Sequence, residues 1–151
     1  LYYSVENDRE NLTVYSESMF IKRIQDHHIS AMECIFQYAN DPYLKYFKLD
    51  KEKLRREISG VSSNSFVKCK KKLAIGEDYI GKKSMFHSLR ILMFGIQIAE
   101  FGKIVNYSQA NTLLSAIMSL NDWDGIKSCC QPIFNGLKSE FKLIAPLESD
   151  K

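Results

Sequence analysis

The chain has 151 residues, 45% of them apolar and 26% charged, with a formal net charge of +3. That is enough for one domain whose core needs neither disulfide nor metal, and the composition is ordinary for a globular protein. No apolar run reaches the roughly 18 residues of a membrane span, because Arg90, Gln97 and Glu100 interrupt the best candidate, and no signal peptide opens the chain.

A start at Leu1 rather than methionine reads as a processed product or a piece of something longer. Cys34, Cys69, Cys129 and Cys130 have no C-x-x-C spacing and only three histidines beside them, so zinc is not expected. Cys34 reads as a small core residue. The vicinal pair reads as two reduced thiols of a cytoplasmic or nuclear protein. The charge is uneven: between Lys45 and Arg90 there are 13 basic and 5 acidic residues, so the middle third is the basic part.

In chain order, the first eleven residues read as a turn or lead-in. Leu12 to Tyr15 (LTVY) reads as a short strand whose partners, if it is one, must lie before Leu1 or in another chain, since a lone strand is not stable. Ser16 is an N-cap for a helix over about Glu17 to His27. His27-His28-Ile29-Ser30 marks a break, and Ser30 with Glu33 has capping-box spacing ahead of a helix ending before Asp41-Pro42. Asp50 caps a short charged helix that Gly60 stops. Asn64 or Ser65 caps the next, FVKCKKKLA. Gly76 through Gly81 reads as the loop leading into the longest patterned stretch, Lys82 to Phe101, a central helix closed by Gly102.

Ser108 caps a helix over about Gln109 to Leu120. The last helix runs from about Asp124 to Ile144 across Pro132, with Ile126, Ile133, Phe134, Leu137 and Phe141 inward. The expectation is a mainly α fold: a single domain over 1–151, a bundle of six or seven helices with at most one short N-terminal strand.

On the central helix, Met85, Phe86, Leu89, Leu92, Met93, Ile96 and Ala99 cover more than half the circumference, which calls for helices all round it. One polar stripe survives. Lys83, His87, Arg90 and Gln97 follow at steps of four, three and seven and so share a face. They either satisfy one another and their neighbours inside the bundle, or meet something polar such as a phosphate. Before them, Lys68, Lys70, Lys71 and Lys72, with Lys82, Lys83, Arg55 and Arg56, could form a polyanion-binding patch rather than a solvated helix face. Tyr43, Tyr46, Phe47, Phe66 and Tyr79 are then candidates to stack on bases. There is no G-x-S-x-G, Walker loop or H-E-x-x-H. Asp122-Trp123-Asp124 has D-x-D spacing but sits where a helix cap is expected.

Several segments resemble the predicted nucleotidyltransferases of the DNA polymerase β superfamily. Ile29 to Phe36 (ISAMECIF) is similar to that family's n-p-x-x-L-E-l-l-f step. Gly81 to Leu92 (GKKSMFHSLRIL) resembles its K-x-x-x-H-x-x-R-L-L helix, and Trp123 after a leucine-rich helix resembles the segment that follows. The resemblance runs from about Leu12 to Ala145. It implies a helical C-terminal half covering a nucleotide-binding cleft, with Lys83, His87 and Arg90 as the matching polar residues; Lys70 and Lys71, from the basic helix, are further candidate phosphate or nucleic-acid contacts. The family's G-S and D-x-D signature is not in this sequence. Where a third carboxylate would be expected there are Asn11 and Thr13, with Asp8 and Glu10 close but displaced. Magnesium and a nucleoside triphosphate would therefore enter only with an upstream catalytic segment. The alternative is a non-catalytic module that binds a protein partner, including one completing a sheet at Leu12 to Tyr15.

Overall fold

The computed structural model describes residues 2–6 and 11–150, with side chains from residue 13 onward. Asp8 and Glu10 lie outside the described residues. The fold is mainly helical, as expected, and contacts divide the chain into two compact units, residues 1–48 and 49–151.

In the first unit, the strand expected at Leu12 to Tyr15 is present as β2 (Asn11–Tyr15), but it is not alone. It pairs antiparallel with β1 (Tyr2–Glu6), Tyr2 opposite Tyr15 and Glu6 opposite Asn11. Residues within the expected lead-in thus supply the partner strand, which is not outside the chain. Helix α1 (Glu17–Gln25) begins at Ser16, whose hydroxyl accepts the Met19 amide at 3.3 Å. It ends through His27, which takes a left-handed φ of 61°, a region that β-carbons disfavour. Burial holds it there: His27 packs on Phe47 with ring centroids 4.9 Å apart, and its Nδ1 lies 3.1 Å from the Gln25 carbonyl.

Helix α2 (Ile29–Ile35) is capped at His28, not Ser30, so the expected capping box does not form in that register. The Ser30 hydroxyl instead pairs with the His28 ring at 3.0 Å. The helix also stops at Ile35, well short of Asp41. Ile24, Ala31 and Ile35 form the core of this unit, wrapped by Phe20, Phe36, Tyr43, Leu44, Tyr46 and Phe47. Cys34 falls on the opposite face of α2 and is exposed, contrary to its reading as a core residue.

The second unit is built on two 24-residue helices, α3 (Lys51–Ala74) and α4 (Asp78–Phe101). Asp50 caps α3 as expected, accepting the Lys53 amide at 3.0 Å. Gly60 does not stop it. A single helical glycine costs only about 1 kcal/mol relative to alanine, whereas Leu54 and Ile58 before it and Ser62 and Cys69 after it are all buried on one face. The chain turns at Gly76, with φ 79°. Helix α4 starts four residues earlier than its apolar pattern suggested, so Gly81 lies inside it.

That shift reveals a repeat. Gly81, Ser88 and Gly95 follow one another at seven-residue intervals and line the seam with α3. A β-carbon at Gly81 would sit 3.1 Å from the Cys69 carbonyl, and one at Gly95 would sit 2.8 Å from Ile58 Cγ2 and 3.1 Å from Phe141 Cζ. Between them the buried Ser88 hydroxyl donates to the Ser62 carbonyl at 2.6 Å. Gly102 ends α4 in the left-handed conformation, its N–H on the Ile98 carbonyl at 2.8 Å.

The segment expected as one helix after Ser108 is a 3-10 turn, Gln109–Asn111, followed by α5 (Thr112–Met118). Helix α6 (Trp123–Ile144) runs through Pro132 and is capped by Asp122, which accepts the Gly125 amide at 2.7 Å. The D-x-D spacing is indeed a cap. Ile126, Phe134 and Phe141 are buried as expected, and Ile133 and Leu137 are half-buried. Burial pushes the Cys69 thiol to about 11 and that of Cys130 to about 12, so both are neutral core groups.

Because the seam leaves no room at residue 95, Gly95→Ala is expected to destabilise the protein by about 1–3 kcal/mol in chemical denaturation. Gly60→Ala, at an exposed helical site with nothing within 4 Å of the new methyl, is expected to stabilise it by about 0.5–1 kcal/mol. Equal effects of the two substitutions would contradict the seam.

Candidate anion-binding site

The polar stripe of α4 divides by depth. Every residue from Phe94 to Ala99 is buried, and Gln97, on that stretch, is fully committed. Its Oε1 accepts the amides of Val105 and Asn106, both at 2.9 Å. Its Nε2 donates to the Asn106 carbonyl at 3.0 Å and to Gln109 Oε1 at 2.6 Å. It ties down the segment after Gly102 and leaves the candidate site.

Lys83, His87 and Arg90 sit nearer the α3 turn, where α4 is covered on fewer sides. Lys83 is exposed and the other two are half-buried. The Lys83 ammonium lies 5.4 Å from the centre of the Tyr79 ring, and the Arg90 guanidinium 4.5 Å from that of Phe94. Burial lowers the pKa of His87 below the ordinary imidazole value, and the positive charges of Arg90 and of Lys68 on α3 lower it further. The ring is therefore neutral at pH 7, flanked by two cations. Lys68 is the member of this group that the spacing on α4 could not reveal. It is found from α3, where Cys69 packs into the seam and leaves its predecessor on the rim.

The remaining basic residues do not converge on this point. Lys70 follows Lys68 by two residues, roughly 200° round the helix, and Lys71 by three, roughly 300°. Both are exposed, Lys70 on another face of α3 and Lys71 one turn farther along the same side as Lys68, and neither is among the charges that act on His87. The Lys72 ammonium pairs with Glu77 at 2.5 Å, and Lys82 donates to the Met118 carbonyl at 3.1 Å. Arg56 pairs with Glu52 at 2.7 Å. Arg55 holds the C-terminal end, donating to the Ala145 carbonyl at 3.1 Å and to Asp150 at 3.0 Å.

The aromatic candidates are mostly spent as well. Phe66 packs on Trp123 and Phe134, with centroids 5.7 and 4.6 Å away. Tyr43, Tyr46 and Phe47 wrap the core of the first unit. Tyr79, 66% exposed, is the one of the five that lies against the stripe, beside Lys83. No group of three or more histidine, cysteine, aspartate or glutamate side chains among the described residues could hold a metal ion, and no described helix is long and apolar enough to cross a membrane.

Compared with protein-family models, with curated proteins and with solved structures, the chain matches none.

The lowered pKa of His87 fixes the sign of a pH effect. The unfolded chain, with an imidazole near 6.5, takes up a proton at a higher pH than the native protein does, so stability falls as the pH drops below about 6.5. Denaturant unfolding at pH 7.5 and pH 5.5 should show that loss in the wild type and a smaller one in His87→Gln. An equal loss in both would mean that the ring is not held between cations.

Proposed function

We propose that the chain is the helical portion of a nucleotidyltransferase-like protein, and that Lys68, Lys83, His87 and Arg90 contact the phosphates of a nucleotide or nucleic acid. The observation supporting this most is electrostatic. Positive charges from two different helices bear on a half-buried neutral imidazole, an arrangement unfavourable to any further positive charge and relieved by an anion. A phosphate group seated there would accept hydrogen bonds from Arg90 and Lys83, which are stronger for being charge-assisted. It would also raise the His87 pKa, so that the imidazole could donate as well. Tyr79, next to Lys83, offers a face for a base. In this reading the catalytic carboxylates, and with them magnesium and a nucleoside triphosphate, belong to a segment outside these 151 residues.

A second reading, a module that binds a protein partner, is favoured by the apolar surface at the turn between α3 and α4, where Ile75 and Tyr79 are each 66% exposed.

Calorimetric titration with ATP, and with a short single-stranded RNA, separates the two. Lys83→Ala with Arg90→Ala should weaken binding by at least about tenfold, the loss of one or two charge-assisted contacts, with the circular-dichroism spectrum kept. Binding should tighten as the pH falls from 8 to 6, because the bound anion draws a proton onto His87, and His87→Gln should remove that dependence. Unchanged affinity in the folded double variant would leave the stripe a structural feature and favour the second reading.

A further inference from the structure

The first unit contains a cavity of about 660 Å³ between β2, α1, α2 and the loop at Tyr43, remote in sequence from the anion site. Its volume lies in the range of small-molecule sites, roughly 300–1,000 Å³. One wall is aromatic and continuous. Tyr15 stacks with Phe20 at 6.4 Å between centroids, and Phe20 meets the edge of Tyr43 at 5.1 Å. The rest is mixed: Val14 and Ala31 are apolar, and the other side chains are acidic or polar. Glu17 and Glu33 line the space together with Cys34 and Gln37, and among the described residues the lining has no lysine, arginine or histidine.

Carboxylates predominate at this space among the described residues. The Cys34 thiol, on a residue that is otherwise exposed, is pushed up first by partial desolvation and then by the carboxylates of Glu33 and Asp41. The Tyr15 ring already draws the Arg23 guanidinium to 5.8 Å from its centre, as an electron-rich face does.

We propose that this cavity binds a small organic amine: an ammonium group directed at Glu33 and Glu17, and an apolar body packed on the wall of Tyr15, Phe20 and Tyr43. A carboxylate facing an ammonium gives a charge-assisted hydrogen bond. The aromatic wall adds apolar burial and a favourable face for the positive charge. An anion would meet the carboxylates of Glu17 and Glu33 here, so the preference is opposite to that of the site on α4 and does not depend on it.

The test uses three probes with one ring and different charge: phenethylamine, 2-phenylethanol and phenylacetate, each titrated into the ¹⁵N-labelled chain. Phenethylamine should shift the amides of Ala31, Cys34 and Gln37 and leave those of Lys83 to Arg90 in place. The neutral and anionic probes should bind at least about tenfold more weakly, the cost of one charged contact. Glu33→Gln should weaken phenethylamine by at least about fivefold while keeping a dispersed spectrum. If that variant unfolds, the exposed Glu17→Gln is read for the same loss. Equal binding of the three probes, shifts outside the cavity, or undiminished affinity in the folded variant would overturn the proposal.

Discussion

The second unit depends on how closely α3 and α4 approach. At Gly81 and Gly95 the helix surface carries no side chain, and the facing atoms of Cys69, Leu73 and Ile58 occupy the space a methyl would take. Between the glycines, the Ser88 hydroxyl satisfies itself on a carbonyl of α3, so the polar group at the middle of the seam costs nothing in lost hydrogen bonds. The seven-residue spacing keeps this small-residue stripe facing one partner along the length of two long helices. With the seam fixed, the rims on either side are fixed too. The charge of Lys68 acts on His87 from one rim, and on the other Lys82 reaches the Met118 carbonyl near α5.

The stripe of Lys83, His87, Arg90 and Gln97 shows how one helical face can hold two kinds of residue. All four have the same angular position within the tolerance of a 3.6-residue repeat. What differs is the depth of the surrounding protein. Where α4 is enclosed, Gln97 makes four hydrogen bonds and acts as a clamp. Where it emerges toward the turn, His87 and Arg90 are half-buried, and the charge of Arg90 acts on the His87 ring. Of the other cations, Arg55, Arg56, Lys72 and Lys82 are held by partners within the second unit, while Lys70 and Lys71 face solvent. Exposed pairs such as Arg56 with Glu52 contribute at most about 1 kcal/mol, yet they remove those side chains from any wider patch. The basic middle third is thus reduced from a field to one convergent group.

Signals confined to a few neighbouring residues were legible in the sequence. The caps at Ser16, Asp50 and Asp122, the left-handed Gly102 and the apolar circumference of α4 all depend on local chemistry, and all are found. The readings that differ turn on contacts between distant residues. Gly60 and Gly81 carry the same local signal, a glycine in a helical pattern, but the burial of Ile58, Ser62 and Cys69 carries the helix through one, and the seam requires the other. Tyr2 to Glu6 forms a strand because Asn11 to Tyr15 pairs with it. Phe66 and Tyr79 are equally plausible as stacking residues on paper, but only the position of α6 shows that one is consumed by Trp123 and Phe134. The seven-residue glycine and serine spacing is present in the sequence, but it marks a seam only because α4 starts at Asp78 and takes Gly81 inside the helix.

The central claim is that α4 presents a neutral imidazole between cations that an anion can bridge. The most direct measurement is the pKa of His87, followed by its ring proton resonances, in the free protein and with saturating inorganic tripolyphosphate. The account predicts a value below the ordinary 6.5 in the free protein and a rise of at least about one unit with the anion, equivalent to roughly 1.4 kcal/mol of coupling. An ordinary value in the free protein, or one that does not move when the anion is added, would contradict it.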